Sequence, residues 1–187
     1  MVGYFDPELV HLVRRTPLQR LIAELVMMRM FDELMEAISG VATRLACGAP
    51  YVDGTSPLLL VPPSTSTINA LYLFENHNRA RHQFAKWSRA QYINDPTQHV
   101  LDPQDTFTTA CSRHGGVIRE MQGVRNRIAH SNGNARTALA RVISRRYGTN
   151  LNHVTPGMLL ISPRFQPILL SQYISAARVI AKDCARA

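Results

Sequence analysis

The chain is expected to be all-α, a helical bundle interrupted by one long proline-rich loop. Three observations predict this. Apolar residues recur at three- and four-residue spacing over most of the chain. Helix-start signals, Asp-Pro and Thr-Pro, stand before the first two of these runs. No segment shows the two-residue apolar alternation of a half-buried strand, and no internal repeat is present. The length of 187 residues favours one domain spanning 1–187, enough to bury a sizeable core.

The first signal, DPELVHLVRR, opens with Asp6 at the N-cap and Pro7 at the first helical position. The second begins at Thr16 and Pro17. Its apolar residues are Leu18, Leu21, Ile22, Leu25, Met28, Phe31, Met35, Ile38, Val41 and Leu45, and Gly48 stops it. The methionines Met27, Met28, Met30 and Met35 read as core filling. APYVDGTSPLLLVPPSTS, with four prolines, is a long loop carrying a short apolar anchor. TSTINALYLFENHNRARHQFAKWSRAQYI is helical in character and turns basic at His77, Arg79, Arg81, His82, Lys86 and Arg89. After the loop NDPTQHVLDP, a helix is expected from about Pro103 to Ala129, then a shorter one in NARTALARVISRRYG. TNLNHVTPGMLLISP reads as irregular. The last helix carries Ile168, Leu169, Tyr173, Ala176, Ala177 and Ile180 on its apolar side.

Apolar residues make up 45% and charged residues 18%, which excludes a disordered chain. The formal net charge of +8 suits a polyanionic partner. Of 21 basic residues, only Lys86 and Lys182 are lysines. Arginine meets phosphate with a planar fork, so the bias fits phosphate contact; a GC-rich coding sequence gives the same bias. Cys47, Cys111 and Cys184 lie far apart, without the spacing of a disulfide framework or zinc site, and read as buried thiols of a reducing cytoplasm. The N-terminal residues lack the apolar core of a signal peptide, and no apolar run is long enough to span a membrane.

The chemistry concentrates in VRNRIAHSNGNAR, residues 124–136. Asn126 and His130 are four apart and share a helix face. Arg125, five before His130, points about 140° away on an ideal helix, but its side chain is long enough to curl round. The helix is expected to end near Ser131, Asn132 and Gly133, releasing His130 from helical placement. A histidine can take the proton from an RNA 2′-hydroxyl or return one to the leaving oxygen. Arginine can hold the scissile phosphate, and asparagine can orient the histidine. No metal or other cofactor is required. One arginine and one histidine do not surround a phosphate, and a second set supplied by symmetry would complete a cleft.

Gly116, Gly123 and His130 are spaced by sevens and fall on one stripe, drifting about 20° per step. Two glycines there suggest a close backbone neighbour: another helix of the same chain, or the same helix of a second copy. Alternatively, Gly115 and Gly116 simply break the helix. Gly116 and Gly123 are thus the candidate dimer-interface positions. Arg127, Arg141, Arg145 and Arg146 are the candidate RNA-binding residues, able to track a phosphate backbone or to form a solvated face.

Arg125-Asn126, three residues, then His130 resembles the signature of HEPN domains: arginine, four to six residues, histidine, often with a polar residue after the arginine. Four residues stand between them here. VRNRIAHSNG and the chain length resemble the RiboL-PSP-HEPN branch. The likeness is specific over roughly residues 104–147; the other helices agree only in type. The resemblance implies a dimeric HEPN-like helical bundle with two facing motifs and metal-independent endoribonuclease activity leaving a cyclic phosphate. It also implies a role as a toxin or in phage defence, checked by an antitoxin protein. On it, Arg125 and His130 carry over as catalytic and Asn126 as support. Some HEPN domains bind without cutting, so a non-catalytic RNA- or protein-binding module is the alternative.

Other candidates are weaker. His77 and His82 lack further metal ligands nearby. Trp87 and Tyr92 could stack on bases but read better as core. Asp102 and Asp105 read as loop and cap residues rather than an acid pair. Ser112 and His114 lack a nucleophile-elbow context. Cys111 stands about 28 Å of helical rise from His130, too far to couple.

Overall fold

The computed structural model describes residues 16–76, 93 and 97–186. It is all-α: among the described residues there are six helices and no strand. They are α1 (Pro17–Ala46), α2 (Thr67–Asn76), α3 (Thr106–Ala129), α4 (Gly133–Tyr147), α5 (Pro156–Leu160) and α6 (Leu169–Ala185). The helix expected from Asp6, and His77, His82, Trp87, Tyr92 and the basic run around them, lie outside the described residues. No helix among the described residues is long and apolar enough to cross a membrane.

The chain divides into two compact units, one of Met1–Phe31 and Glu120–Ala176, the other of Asp32–Arg119 and Ala177–Ala187. In the first unit, α1 starts with a reciprocal cap. The Thr16 hydroxyl accepts from Gln19 N–H (3.3 Å), and the Gln19 side chain accepts from Thr16 N–H (3.1 Å). Ala23, Met27 and Phe31 are buried, together with Met121 and Val124 of α3, Leu139, Val142, Ile143 and Tyr147 of α4, and Leu169 and Tyr173 of α6.

One expectation fails here. Leu18, Leu21, Ile22 and Leu25, read as the inward stripe, face outward, with Leu18 at 64% and Leu25 at 59% exposure. The start of α1 carries two apolar faces, and the short helix α5 selects between them. At Gly157 the backbone of α5 comes so close that an added Cβ would lie 2.7 Å from Arg20 Cβ and 2.9 Å from Arg20 O. Glu24 then accepts the Gly157 N–H at 2.8 Å. Helix α5 itself lies where irregular chain was expected. Thr155 caps it through its hydroxyl, and Pro156 opens it.

In the second unit the expected end of α1 is present: Gly48 takes a left-handed φ of 79°, and Ala49 N–H returns to Arg44 O at 3.1 Å. The proline-rich loop is pinned by its backbone. Leu59 pairs with Leu101 in an isolated antiparallel bridge, flanked by Leu60 N–H to Val100 O (2.9 Å) and Asp102 N–H to Leu58 O (2.8 Å). The leucine side chains contribute less than expected, since Leu58 and Leu60 are both exposed.

Asp105 secures the start of α3. Its carboxylate accepts from Phe107 N–H (2.9 Å), Leu58 N–H (2.9 Å) and the Tyr51 hydroxyl, and the residue is buried. It is thus the expected cap, with a tertiary role added. Burial first, and the Asp105 hydrogen bond second, push the Tyr51 phenol well above its usual range.

Candidate functional site

The motif sits where α3 gives way to α4, within the first unit. Helix α3 ends at Ala129, and His130 N–H still donates to Asn126 O at 2.9 Å. Asn132 then takes an extended conformation (φ −70°, ψ 165°) and accepts from Ala135 N–H at 2.9 Å, starting α4. Only His130, Ser131 and Asn132 separate the two helices. This short connection places His130 outside both helices and in solvent. The Arg127 guanidinium donates to the carbonyl of His130 at 3.1 Å, holding the corner closed. A cation at a helix C-terminus also favours the local dipole.

Arg125 and Asn126 lie half-buried on the last turns of α3, so the three motif residues occupy one end of one helix. The backbone hydrogen bond from His130 to Asn126 joins two of them directly.

The candidate RNA-binding arginines part company. Arg141 is exposed on α4, and Arg127 is half-buried at the corner. Arg146 turns to the buried carboxylate of Glu120, with its Nε 2.7 Å and its Nη2 2.6 Å from Oε1. Glu120 is 7% exposed and also accepts from the Tyr173 hydroxyl at 2.7 Å. Arg145 approaches the other carboxylate oxygen at 3.6 Å while its side chain stays mostly in solvent. Arg146 is therefore part of a buried polar cluster, because a carboxylate in the core requires a cation and hydrogen-bond donors. Burial first, and the Glu120 charge next, push the Tyr173 phenol well above its usual range.

The two interface glycines also differ. Gly123 is buried against α4 of its own chain, where an added Cβ would lie 3.4 Å from Val142 Cγ2 and 3.5 Å from Ala138 O. Its close neighbour is the intrachain helix, one of the two partners the spacing allowed. Gly116 is exposed, with no atom of the described residues within 4 Å of an added Cβ.

Sequence reasoning passed over Glu120. Its signal was faint: a single carboxylate four residues before Val124 on an apolar face, with its arginine 26 residues further on. It also passed over Arg136 and His153, which with Arg127 line a cleft beside the motif corner. No protein-family model, curated protein or solved structure matches the chain.

Proposed function

We propose that this chain is a metal-independent endoribonuclease of the HEPN type, working in the cytoplasm as a homodimeric toxin or phage-defence ribonuclease restrained by an antitoxin. The observation that carries the reading is the placement of His130: exposed at a helix break, with Arg125 and Asn126 on the turns that precede it. A solvent-facing imidazole can reach a strand that a buried one cannot.

In this reading His130 removes the proton from a ribose 2′-hydroxyl. The 2′-oxygen attacks the adjacent phosphorus, the bond to the 5′-oxygen breaks, and a 2′,3′-cyclic phosphate remains. Arg125 holds the non-bridging oxygens as charge develops on them. The imidazolium of the same or the facing subunit returns a proton to the leaving 5′-oxygen. Asn126 supports the corner from which His130 projects. The net charge of +8 favours approach of the polyanion.

The test compares wild type with His130→Ala and Arg125→Ala on single-stranded RNA in EDTA. Wild type is expected to cut and both variants to fail while keeping their helical spectra. Intact RNA with wild type, or equal cutting by His130→Ala, ends the catalytic reading. Size measurement on the wild type checks the dimer.

The exposure of Arg141 supports a second reading, an RNA-binding module that does not cut. It predicts salt-sensitive binding that Arg141→Ala weakens and His130→Ala leaves alone.

A further inference from the structure

Beside the motif corner, the first unit carries a cleft of about 550 Å³. This falls within the range of small-molecule sites, roughly 300–1,000 Å³. Its floor comes from α4. Leu139 and Ile143 are buried apolar residues, and Arg136 stands one turn before Leu139 on the same face. Arg127 enters from the last turn of α3. The opposite wall is the segment 150–156, which contributes Asn150, Asn152 and His153.

Three chemical features coincide. Arg127 and Arg136 are cationic, and among the described residues no Asp or Glu lines the cleft, so its field favours an anion. Neither arginine is paired with a carboxylate among the described residues. Arg127 gives one N–H to the His130 carbonyl and keeps other donors of its fork for a ligand. The floor is apolar, suited to the face of an aromatic ring. The two asparagines and the histidine offer both donors and acceptors, suited to that ring's polar edge. An inorganic anion would leave the floor unused, and an apolar ligand would leave the arginines unused.

We propose that this cleft binds a nucleotide, with the phosphate held by Arg127 and Arg136 and the base laid on Leu139 and Ile143 against the Asn150–His153 wall. Arg127 touches both the cleft and the backbone of His130, so a nucleotide seated there adjoins the motif. Its assignment as one residue of an RNA strand passing His130 rests on the ribonuclease reading; binding of a free nucleotide does not.

The experiment uses His130→Ala protein, so that binding is read whether or not the wild type cuts. AMP, adenosine and inorganic phosphate are titrated in turn by calorimetry. AMP is expected to bind more tightly than either part alone. Arg136→Ala, on an exposed first-turn position, and Asn152→Asp, which adds a negative charge to the wall, are each expected to weaken AMP about tenfold, the scale of one charge-assisted contact. No AMP binding, phosphate binding as tightly as AMP, or AMP affinity unchanged in both variants would each overturn the proposal. A 2′-O-methyl RNA oligomer then distinguishes the sources. Displacement of AMP assigns the cleft to a strand, and retention assigns it to a free nucleotide. Failure of wild type to cleave RNA removes only the ribonuclease reading.

Discussion

Arg146 holds Glu120 in the core of the first unit, with Nε and Nη2 at 2.7 and 2.6 Å from one carboxylate oxygen that also receives the Tyr173 hydroxyl. An arginine that sequence spacing offers to RNA is thereby committed to structure. Arg146→Ala strands a buried carboxylate, and breaking such a pair costs about 3–5 kcal/mol when both partners are buried. Arg146 keeps 28% of its side-chain exposure, so solvent screening lowers the expected loss to about 2–3 kcal/mol. Urea unfolding is expected to show this loss for Arg146→Ala and almost none for Arg141→Ala. RNA affinity is expected to fall only in Arg141→Ala. Equal stability of the two variants would refute the assignment.

Two glycine-to-alanine changes are expected to move stability in opposite directions. At Gly157 the new methyl would meet Arg20 backbone atoms at 2.9 and 3.0 Å, which cannot swing aside. Overpacking of this kind costs about 1–3 kcal/mol, and the expected loss lies in the upper part of that range. At Gly116 the methyl enters open space, and the gain in helix propensity is expected to add about 0.5–1 kcal/mol. Thermal unfolding of both variants checks the pair. If Gly116 faces a second copy, Gly116→Ala instead weakens association, which sedimentation reads directly.

Tyr51 and Tyr173 are expected to make the fold sensitive to alkali. Both phenols are raised above their ordinary value in the folded chain, through burial and a neighbouring carboxylate. A raised pKa means that the native state prefers the protonated form. The associated stability is complete below the unfolded value of about 10 and is lost as pH rises beyond it. The urea midpoint should stay level up to about pH 9 and fall above about pH 10. Phenolate absorption from these two residues should appear together with loss of helical signal. Early titration of both in an intact fold would contradict their placement.

The thiols are expected to react in a fixed order. Cys111 and Cys184 are buried with their sulfurs 3.8 Å apart, and Cys47 is half-exposed. The hydrogen bond with Cys184, then burial, pushes the Cys111 thiol up, which suppresses the reactive thiolate. Alkylation of native protein at mild alkaline pH, followed by peptide mass analysis, should mark Cys47 first and the buried pair only after denaturant. Rapid labelling of Cys111 in the native state would count against this packing.

The all-α class, the C-terminal end of α3 at Ala129 and the motif's corner were legible because their causes are local, whereas α3 starts at Thr106 and not at the expected Pro103. Apolar period, the Thr16-Pro17 start and the Gly48 stop each act within a few residues. His130 could be placed at a helix end for the same reason. Other features depend on partners distant in the chain. Which face of α1 turns inward depends on Gly157, far along the sequence, bringing the α5 backbone onto Arg20. The commitment of Arg146 depends on a single buried carboxylate on another helix. The nucleotide cleft depends on α3, α4 and the 150–156 segment meeting at one place. Hydrogen-bonded caps and helical period are written in neighbouring residues, whereas desolvated charges and backbone approach exist only once distant segments pack.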